Sequence, residues 1–438
     1  MKKVLVVTYY WPPGSGAGVF RWMKFCKYLR GHGWEPVIYA PENPESPGHD
    51  PTLEKELPGG IHIIRRPIWE PYRFYKLLTG QKKEEKIQSG FLNEHRKPSL
   101  SDNLSTWIRG NFFIPDARRF WIRPSARFLL RWLAKNPVEA IVTTGPPHSL
   151  HLIGLTLKKK TGIPWLADFR DPWTQIDYHE KLMLSRWAAH WHQRLEKTVL
   201  SRADKVTTVS RHCALGLEAI GRRRVEVISN GFDPDDFPEL PEFNYERFRI
   251  THLGSMNADR NPQMLWYVLQ NLVKEDPFFR DFLHIRLTGK TDITVRKSLE
   301  DAGLMPFTTF TPPLPHRQAL AHAADSAILL LPLNNTPNVM GITTGKLFEY
   351  LGLRRPVLCI GPPEGDAARI IRETRSGVTV DFHDTEQCRK TLLEWAARFR
   401  KKELSAVDQQ IGQYNRKTLT KELAAQLDSM INIRNRQN

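Results

Sequence analysis

Cysteine is scarce, with four residues in a chain of 438. Cys26, Cys213, Cys359 and Cys388 stand far apart, and no pair has the close spacing of a zinc site or a redox motif. They read as reduced core residues of a cytoplasmic protein. Long apolar runs are also missing. The longest, at 327–333, already contains Pro332, whereas a membrane span needs ~18–20 consecutive apolar residues. Lys2 and Lys3 precede the apolar run Val4, Leu5, Val6, Val7, but that run is too short for a signal peptide. It leads into Thr8, Tyr9, Tyr10, Trp11 and Pro12, so a first buried strand is the better reading. No acidic cluster reads as a divalent-metal cage, so neither a metal nor another cofactor is expected. No recognisable nucleic-acid-binding module is present, which sets nucleic acid aside as a partner.

What is present is a globular composition, 40% hydrophobic and 25% charged. Single cores stop growing near ~250–300 residues, so a chain of this length is expected to form two domains. The net charge of +17 is unevenly placed, since residues 61–135 hold 16 Lys and Arg against 6 Asp and Glu. Aromatics are interleaved with these charges. Trp69, Tyr72, Phe74 and Tyr75 come first, then Trp107, Phe112, Phe113, Phe120, Trp121, Phe128 and Trp132. Arg119, Arg123, Arg127, Arg131 and Lys135 recur every four residues, and Pro124 reads as belonging to a first helical turn. A cationic stripe flanked by aromatics suits an anionic membrane surface, although a solvated helix face over an ordinary core stripe is an equally natural reading.

Strand and helix signals alternate along the first half. Strands are expected at 4–8, 36–40, 140–143, 164–168, 205–210 and 225–229, and helices at 19–29, 149–160 and 185–201. A break with Pro234, Pro238, Pro241 and a run of carboxylates follows at 231–246. The pattern then restarts. Strands are expected at 249–253, 284–288, 327–331 and 356–360, and helices at 262–274, 318–324, 345–351 and 385–399. This predicts an α/β chain of two Rossmann-like, doubly wound domains facing across a cleft. The first would span 1–235, with 61–135 as its basic aromatic segment. The second would span 236–415, and a C-terminal helix at 416–438 would pack back across the junction. Open parallel sheets bind ligands at the carboxyl ends of their strands, so candidate site residues are sought there.

Four strand-to-helix loops carry them. The first contains Gly14, Gly16 and Gly18, followed by Arg21. Glycines there let the backbone approach a ligand at a helix start, but the third glycine of a dinucleotide fingerprint falls on Val19. The second ends a strand with Asp168, Phe169, Arg170, Asp171, Pro172 and Trp173, whose carboxylates suit activation of a hydroxyl. A structural Asp–Arg network is its bland alternative. Nearby, Gly145, Pro146, Pro147 and His148 lead into a helix that also carries His151. The third loop is Gly341, Ile342, Thr343, Thr344, Gly345, Lys346 with Glu349 beyond it. Helix N-terminal N–H groups and a lysine suit a diphosphate, and a carboxylate suits ribose hydroxyls. The plain alternative is a capped helix with an i,i+3 Lys–Glu pair. The fourth contains Gly254, Ser255 and Arg260.

Taken in order, these stretches resemble glycosyltransferase family 4, the retaining enzymes of the GT-B fold. The glycine loop through Gly16, Gly18 and Arg21, the VEVISNGFD stretch at 225–233, and KLFEYL with Arg355, Pro356 and Val357 carry the resemblance. The departures are specific. Of two glutamates the family often places on its donor side, the later fits Glu349 and the earlier position is Gly341. The family's donor-loop arginine and lysine fall on Ser255 and Arg260, and its N-domain histidine falls on Arg170. DFRDPW and TGKLFEYL resemble a bacterial polysaccharide branch of that family.

The resemblance implies a metal-independent transferase that moves a sugar, with retention, from a nucleotide sugar to a hydroxyl. The acceptor would be a saccharide, expected to be lipid-linked. Asp168, Arg170 and Asp171 would be catalytic. Gly16, Gly18, Gly254, Ser255, Arg260, Thr343, Thr344, Gly345, Lys346 and Glu349 would hold the donor. Arg21, His148, His151 and Trp173 would face the acceptor. With the basic segment 61–135, this places the enzyme in the cytoplasm, peripheral at the inner face of the membrane, in cell-surface polysaccharide or glycolipid synthesis. A sugar-nucleotide 2-epimerase of the same fold and an inactive nucleotide-sugar binder are the alternatives.

Overall fold

The structure is a computed structural model that describes residues 1–46, 48–70, 100–176, 182–237, 243–404 and 410–437. Tyr72, Phe74, Tyr75 and the charges of 71–99 lie outside the described residues. The chain divides into two compact units, Met1–Ser229 with Leu419–Asn438, and Asn230–Thr418.

The first unit is built on a seven-stranded parallel sheet. Its strands are β1 (Lys2–Val7), β2 (Trp34–Pro41), β3 (His62–Arg66), β4 (Ala140–Gly145), β5 (Trp165–Phe169), β6 (Lys205–Thr208) and β7 (Glu226–Val227). They lie in the order β3-β2-β1-β4-β5-β6-β7. Its helices are α1 (Ala17–Leu29), α2 (Leu100–Phe112), α3 (Arg119–Leu133), α4 (Ser149–Thr161), α5 (Arg186–Arg202) and α6 (Arg211–Gly221). A parallel sheet must be covered on both faces, which explains why Val4, Leu5, Val6 and Val7 run apolar without alternation and are all fully buried. Leu5 and Val7 face Trp121, Leu129, Leu150 and Ile153 of α3 and α4. Val4 and Val6 face Trp22, Phe25 and Cys26 of α1.

The second unit repeats the plan. Strands β8 (Phe248–Leu253), β9 (Leu283–Thr288), β10 (Thr308–Thr311), β11 (Ile328–Pro332), β12 (Val357–Ile360) and β13 (Gly377–Val380) form a parallel sheet in the order β10-β9-β8-β11-β12-β13. The helices are α7 (Gln263–Glu275), α8 (Pro277–Phe282), α9 (Ile293–Asp301), α10 (His316–Ala323), α11 (Gly345–Leu353), α12 (Asp366–Glu373) and α13 (Thr385–Arg400). The last helix, α14 (Arg416–Gln437), places Leu419, Leu423, Leu427 and Met430 in the same core as Val4, Val6 and Trp22 of the first unit. Their spacing is that of one helix face.

Local signals explain most boundaries. Ser185 caps α5 by accepting from the Ala188 amide at 3.2 Å, Ser210 caps α6, and Asp384 caps α13. Sequence periodicity misses α6, yet parallel neighbours β6 and β7 need a crossover, and α6 supplies it. It also misplaces Pro124, which lies in the interior of α3 rather than in its first turn. Pro124 is on the solvent face, where water can take the carbonyl its missing N–H leaves unpaired.

The basic stripe divides in the same way. Arg119, Arg123, Arg127, Arg131 and Lys135 are exposed. Phe128 and Trp121 stack on Tyr39, and Trp132 stacks on His62. The stripe's middle aromatics therefore pack inward, and of them only Phe120 is exposed.

If α14 is part of the first unit's core, Leu427→Ala should cost about 2–5 kcal/mol. Chemical denaturation of the full chain measures this, and a change within a few tenths of a kcal/mol would contradict the packing.

Candidate active site

At the carboxyl edge of the first sheet, Asp168 ends β5. Its carboxylate is fully buried and accepts five hydrogen bonds. Oδ1 takes Arg21 Nη2 and Thr207 Oγ1, both at 2.9 Å. Oδ2 takes Arg21 Nε at 3.0 Å, Trp22 Nε1 at 2.7 Å and Thr144 Oγ1 at 3.1 Å. Burial alone would raise its pKa, but the Arg21 charge and these donors hold it below the ordinary carboxylate value. Asp168, expected from sequence to be catalytic, lies buried in this network. Both oxygens are saturated, so the group fastens α1, β4 and β6 to β5. Arg21, expected to face acceptor, is likewise only 2% exposed and is the other half of that tie.

The adjoining loops are built on buried rings. His148 stacks on Trp173 at 4.9 Å, and His151 stacks on Phe169 at 4.4 Å. His151 Nδ1 meets Thr143 Oγ1 at 2.8 Å, and Thr143 also accepts from Trp165 Nε1. Burial lowers the pKa of both histidines, to about 3 for His151, so both are neutral. Trp173 Nε1 donates to His192 Nδ1 at 3.0 Å, and Glu196 accepts from the Trp173 amide and from Thr174. His148, His151 and Trp173, expected to face the acceptor, are buried. At the same edge Arg170 is half-buried and Asp171 is exposed. Arg170 sits over the Tyr10 ring and beside Gly18, where a Cβ would come within 2.9 Å of Arg170 Nη1. Gly16, at φ 122, is the N-cap of α1 and offers no side-chain cap.

The carboxyl edge of the second sheet is different in kind. Gly254 follows β8 with φ 91, and a Cβ there would lie 2.4 Å from Lys346 Cε. Glycine is required both for the backbone and for the lysine's approach. Lys346 stands in the first turn of α11, and Tyr350 of the same helix accepts from the Leu253 amide at 2.9 Å, which fixes helix against strand. Arg260 is turned to the same side and donates to the Ser255 carbonyl and to Asn334 Oδ1. Burial and the Arg260 charge lower the Lys346 pKa to about 8. Lys346 takes no ion pair among the described residues. The hydroxyls of Thr343 and Thr344 are buried without a partner, and α11 has no side-chain cap. Two cations, two buried hydroxyls and an uncapped helix start are groups that could together hold an anion. Gly341 is buried at the family's first glutamate position, and Gly345 opens the helix.

Glu349, three residues beyond Lys346, accepts from His316 Nε2 at 3.1 Å. Burial favours its neutral form, but His316 and Lys346 bring its pKa below the ordinary value, so it is ionised. Sequence reading missed His316, which opens α10 after three prolines. No spacing rule places that loop against Glu349. It missed His252 as well, buried beside Lys346 and held neutral, its pKa lowered to about 3 by burial and the neighbouring cations.

The class is thus two Rossmann-like α/β units, the second with Lys346 and Arg260 near the Glu349 carboxylate at its carboxyl edge. Residues 15–231 match the family model of a glycosyl transferase 4-like domain, and the fold of the chain is that of the GT-B glycosyltransferases. WaaG, a glycosyltransferase involved in lipopolysaccharide biosynthesis, is similar at TM-score 0.55 and 13% identity, over 97% of this chain and 99% of WaaG. A mutant of S. aureus TarM in complex with fondaparinux, alpha-GlcNAc-glycerol and UDP is similar at TM-score 0.56 and 11% identity, over 98% of this chain and 100% of TarM. A putative UDP-N-acetylglucosamine 2-epimerase from Listeria monocytogenes is similar at TM-score 0.53 and 9% identity, over 98% of this chain and 96% of the epimerase. Among curated proteins, none matches the chain in sequence.

Gly254→Ala should push Lys346 out of place and weaken pyrophosphate binding by roughly tenfold, the loss of one charge-assisted contact. Calorimetric titration measures it, with circular dichroism as the fold control. Unchanged affinity would mean that Lys346 does not serve the anion.

Proposed function

We propose that the protein transfers a sugar, with retention and without a metal, from a nucleotide-sugar donor to a hydroxyl of a lipid-linked saccharide. The single observation that carries this reading is Lys346, a half-buried cation at the start of α11 beside Arg260 and Gly254, with no ion pair among the described residues. As the glycosidic bond to the donor breaks, negative charge grows on the departing diphosphate. The α11 amides, the Thr343 and Thr344 hydroxyls, Lys346 and Arg260 are already oriented for that charge, so little reorganisation is needed. Ser255 adds no charge; Lys346 takes over what the family's arginine supplies. Glu349, ionised and held by His316, accepts from the ribose hydroxyls. Gly16 and Gly18 let the α1 amides approach the donor.

In the first unit, Arg170 and Asp171 face the acceptor, and Asp171 is the carboxylate with room to orient or deprotonate a hydroxyl. Asp168, Arg21, His148, His151 and Trp173 hold those two residues in place. The exposed cations of α3 support a cytoplasmic enzyme peripheral at the inner face of an anionic membrane. Among the described residues, no helix is long and apolar enough to cross a membrane.

A thermal-shift panel of UDP, GDP, ADP and CMP, then their sugars, tests the donor assignment. A nucleotide at ~100 times its dissociation constant should add about 2.7 kcal/mol. Lys346→Ala and Arg260→Ala should each abolish the shift. With the matching nucleotide sugar and an acceptor, turnover should persist in EDTA and give a product with the donor's anomeric configuration. Turnover without acceptor would make the protein an epimerase, binding without turnover an inactive binder, and a flat panel would overturn the assignment.

A further inference from the structure

The inner face of α5 clamps the loop after β5 through His192 and Glu196. Among the described residues, its outer face has no such partner. Trp187 is 62% exposed and Trp191 37%, and the two rings meet edge to face at 6.1 Å. Arg194 lies over the Trp191 ring. Arg186, His190 and Lys197 are exposed on the same helix, and its one carboxylate, Glu196, is buried. Met183, just before the helix, is 42% exposed.

The end of α2 adjoins this surface. Asn111 Nδ2 donates to the Met183 carbonyl at 3.2 Å, and its Oδ1 accepts from the Ser185 amide at 2.7 Å. Gly110 permits this approach, since a Cβ there would meet the Leu182 carbonyl at 2.6 Å. Trp107 and Phe112 of α2 are exposed, with Arg109 between them and Arg119 donating to the Phe112 carbonyl. Exposed indoles on charged helices in a folded monomer are a cost to solubility unless something covers them. Here every exposed charge on the α5 face and on the end of α2 is positive.

We propose that this surface, centred on Trp187 and Trp191, is a docking face for an anionic lipid bilayer. The indoles would enter the interfacial region while Arg109, Arg186 and Arg194 meet lipid phosphates. This rests on the reading of the protein as a membrane-peripheral enzyme, and it moves the apolar anchor away from α3, whose middle aromatics face inward. Because α5 follows β5 in a parallel sheet, its N-terminal end lies toward the carboxyl edge of that sheet, the edge that carries Arg170 and Asp171. Docking through α5 would bring a lipid-borne acceptor to that edge.

The test is co-sedimentation of the full chain with vesicles of phosphatidylcholine plus phosphatidylglycerol, against phosphatidylcholine alone, at low salt. The expected result is binding to the anionic vesicles that falls by about tenfold or more in the double variant Trp187→Ala, Trp191→Ala, since each indole loses its apolar burial. Brominated phosphatidylglycerol should quench part of the wild-type tryptophan fluorescence, and the double variant should lose that part. Both residues are exposed, so folding is preserved, and an unchanged nucleotide thermal shift checks this. Full binding by the double variant would overturn this inference and leave the membrane reading intact, with the Arg123–Arg127 side of α3 as the contact. No binding by the wild-type chain would overturn both. A dimer without lipid that the double variant abolishes would assign the face to a second copy and overturn the inference.

Discussion

The carboxyl edge of the first sheet depends on one buried ion pair. Asp168 gathers two contacts from Arg21 and one each from Trp22, Thr144 and Thr207. Removing one partner of such a pair strands the other charge in the interior, at a cost of about 3–5 kcal/mol. The loops above this tie can therefore be short and still be fixed, and Arg170 and Asp171 emerge from a strand end that cannot shift. The second unit places a charge, Lys346, at the equivalent edge. Lys346 lies against Gly254 with Arg260 nearby and no ion pair among the described residues. That contrast is the ground for proposing support for the first set of residues and ligand binding for the second.

Much of the fold was legible in the sequence, because parallel strands buried on both faces leave short apolar runs and helices leave a 3.6-residue stripe. The runs at Val4–Val7 and at Leu329, Leu330 and Leu331 mark strands that lie beside the centre of their sheets. The runs that failed are the edge strands β3, β10 and β13, where polar residues and threonines dilute the signal. Helix α6 has a short apolar face between two strands and was lost for the same reason. Pro124 misled because a proline is usually a helix-start signal, while on a solvent face an interior proline is tolerated.

The site was legible by type more than by role. Strand-end position brought Asp168, Arg170, Asp171, Lys346 and Glu349 into view, but spacing cannot say which side chain faces inward. Asp168 and Asp171 are three residues apart and have opposite fates, one saturated and buried, the other exposed. His316 was invisible because its partner, Glu349, lies 33 residues away on another helix, and only the folded topology joins them.

The central claim is that Lys346 exists to meet an anion, and proton linkage tests it most directly. In the free protein its pKa is about 8. A bound diphosphate must raise that value, so near pH 8 binding should draw up to roughly half a proton from solution. Calorimetric titration of UDP at that pH, in two buffers of different ionisation enthalpy, reads this uptake. The account predicts a positive uptake that disappears in Lys346→Met. Binding with no proton uptake, or with uptake unchanged in Lys346→Met, would contradict it.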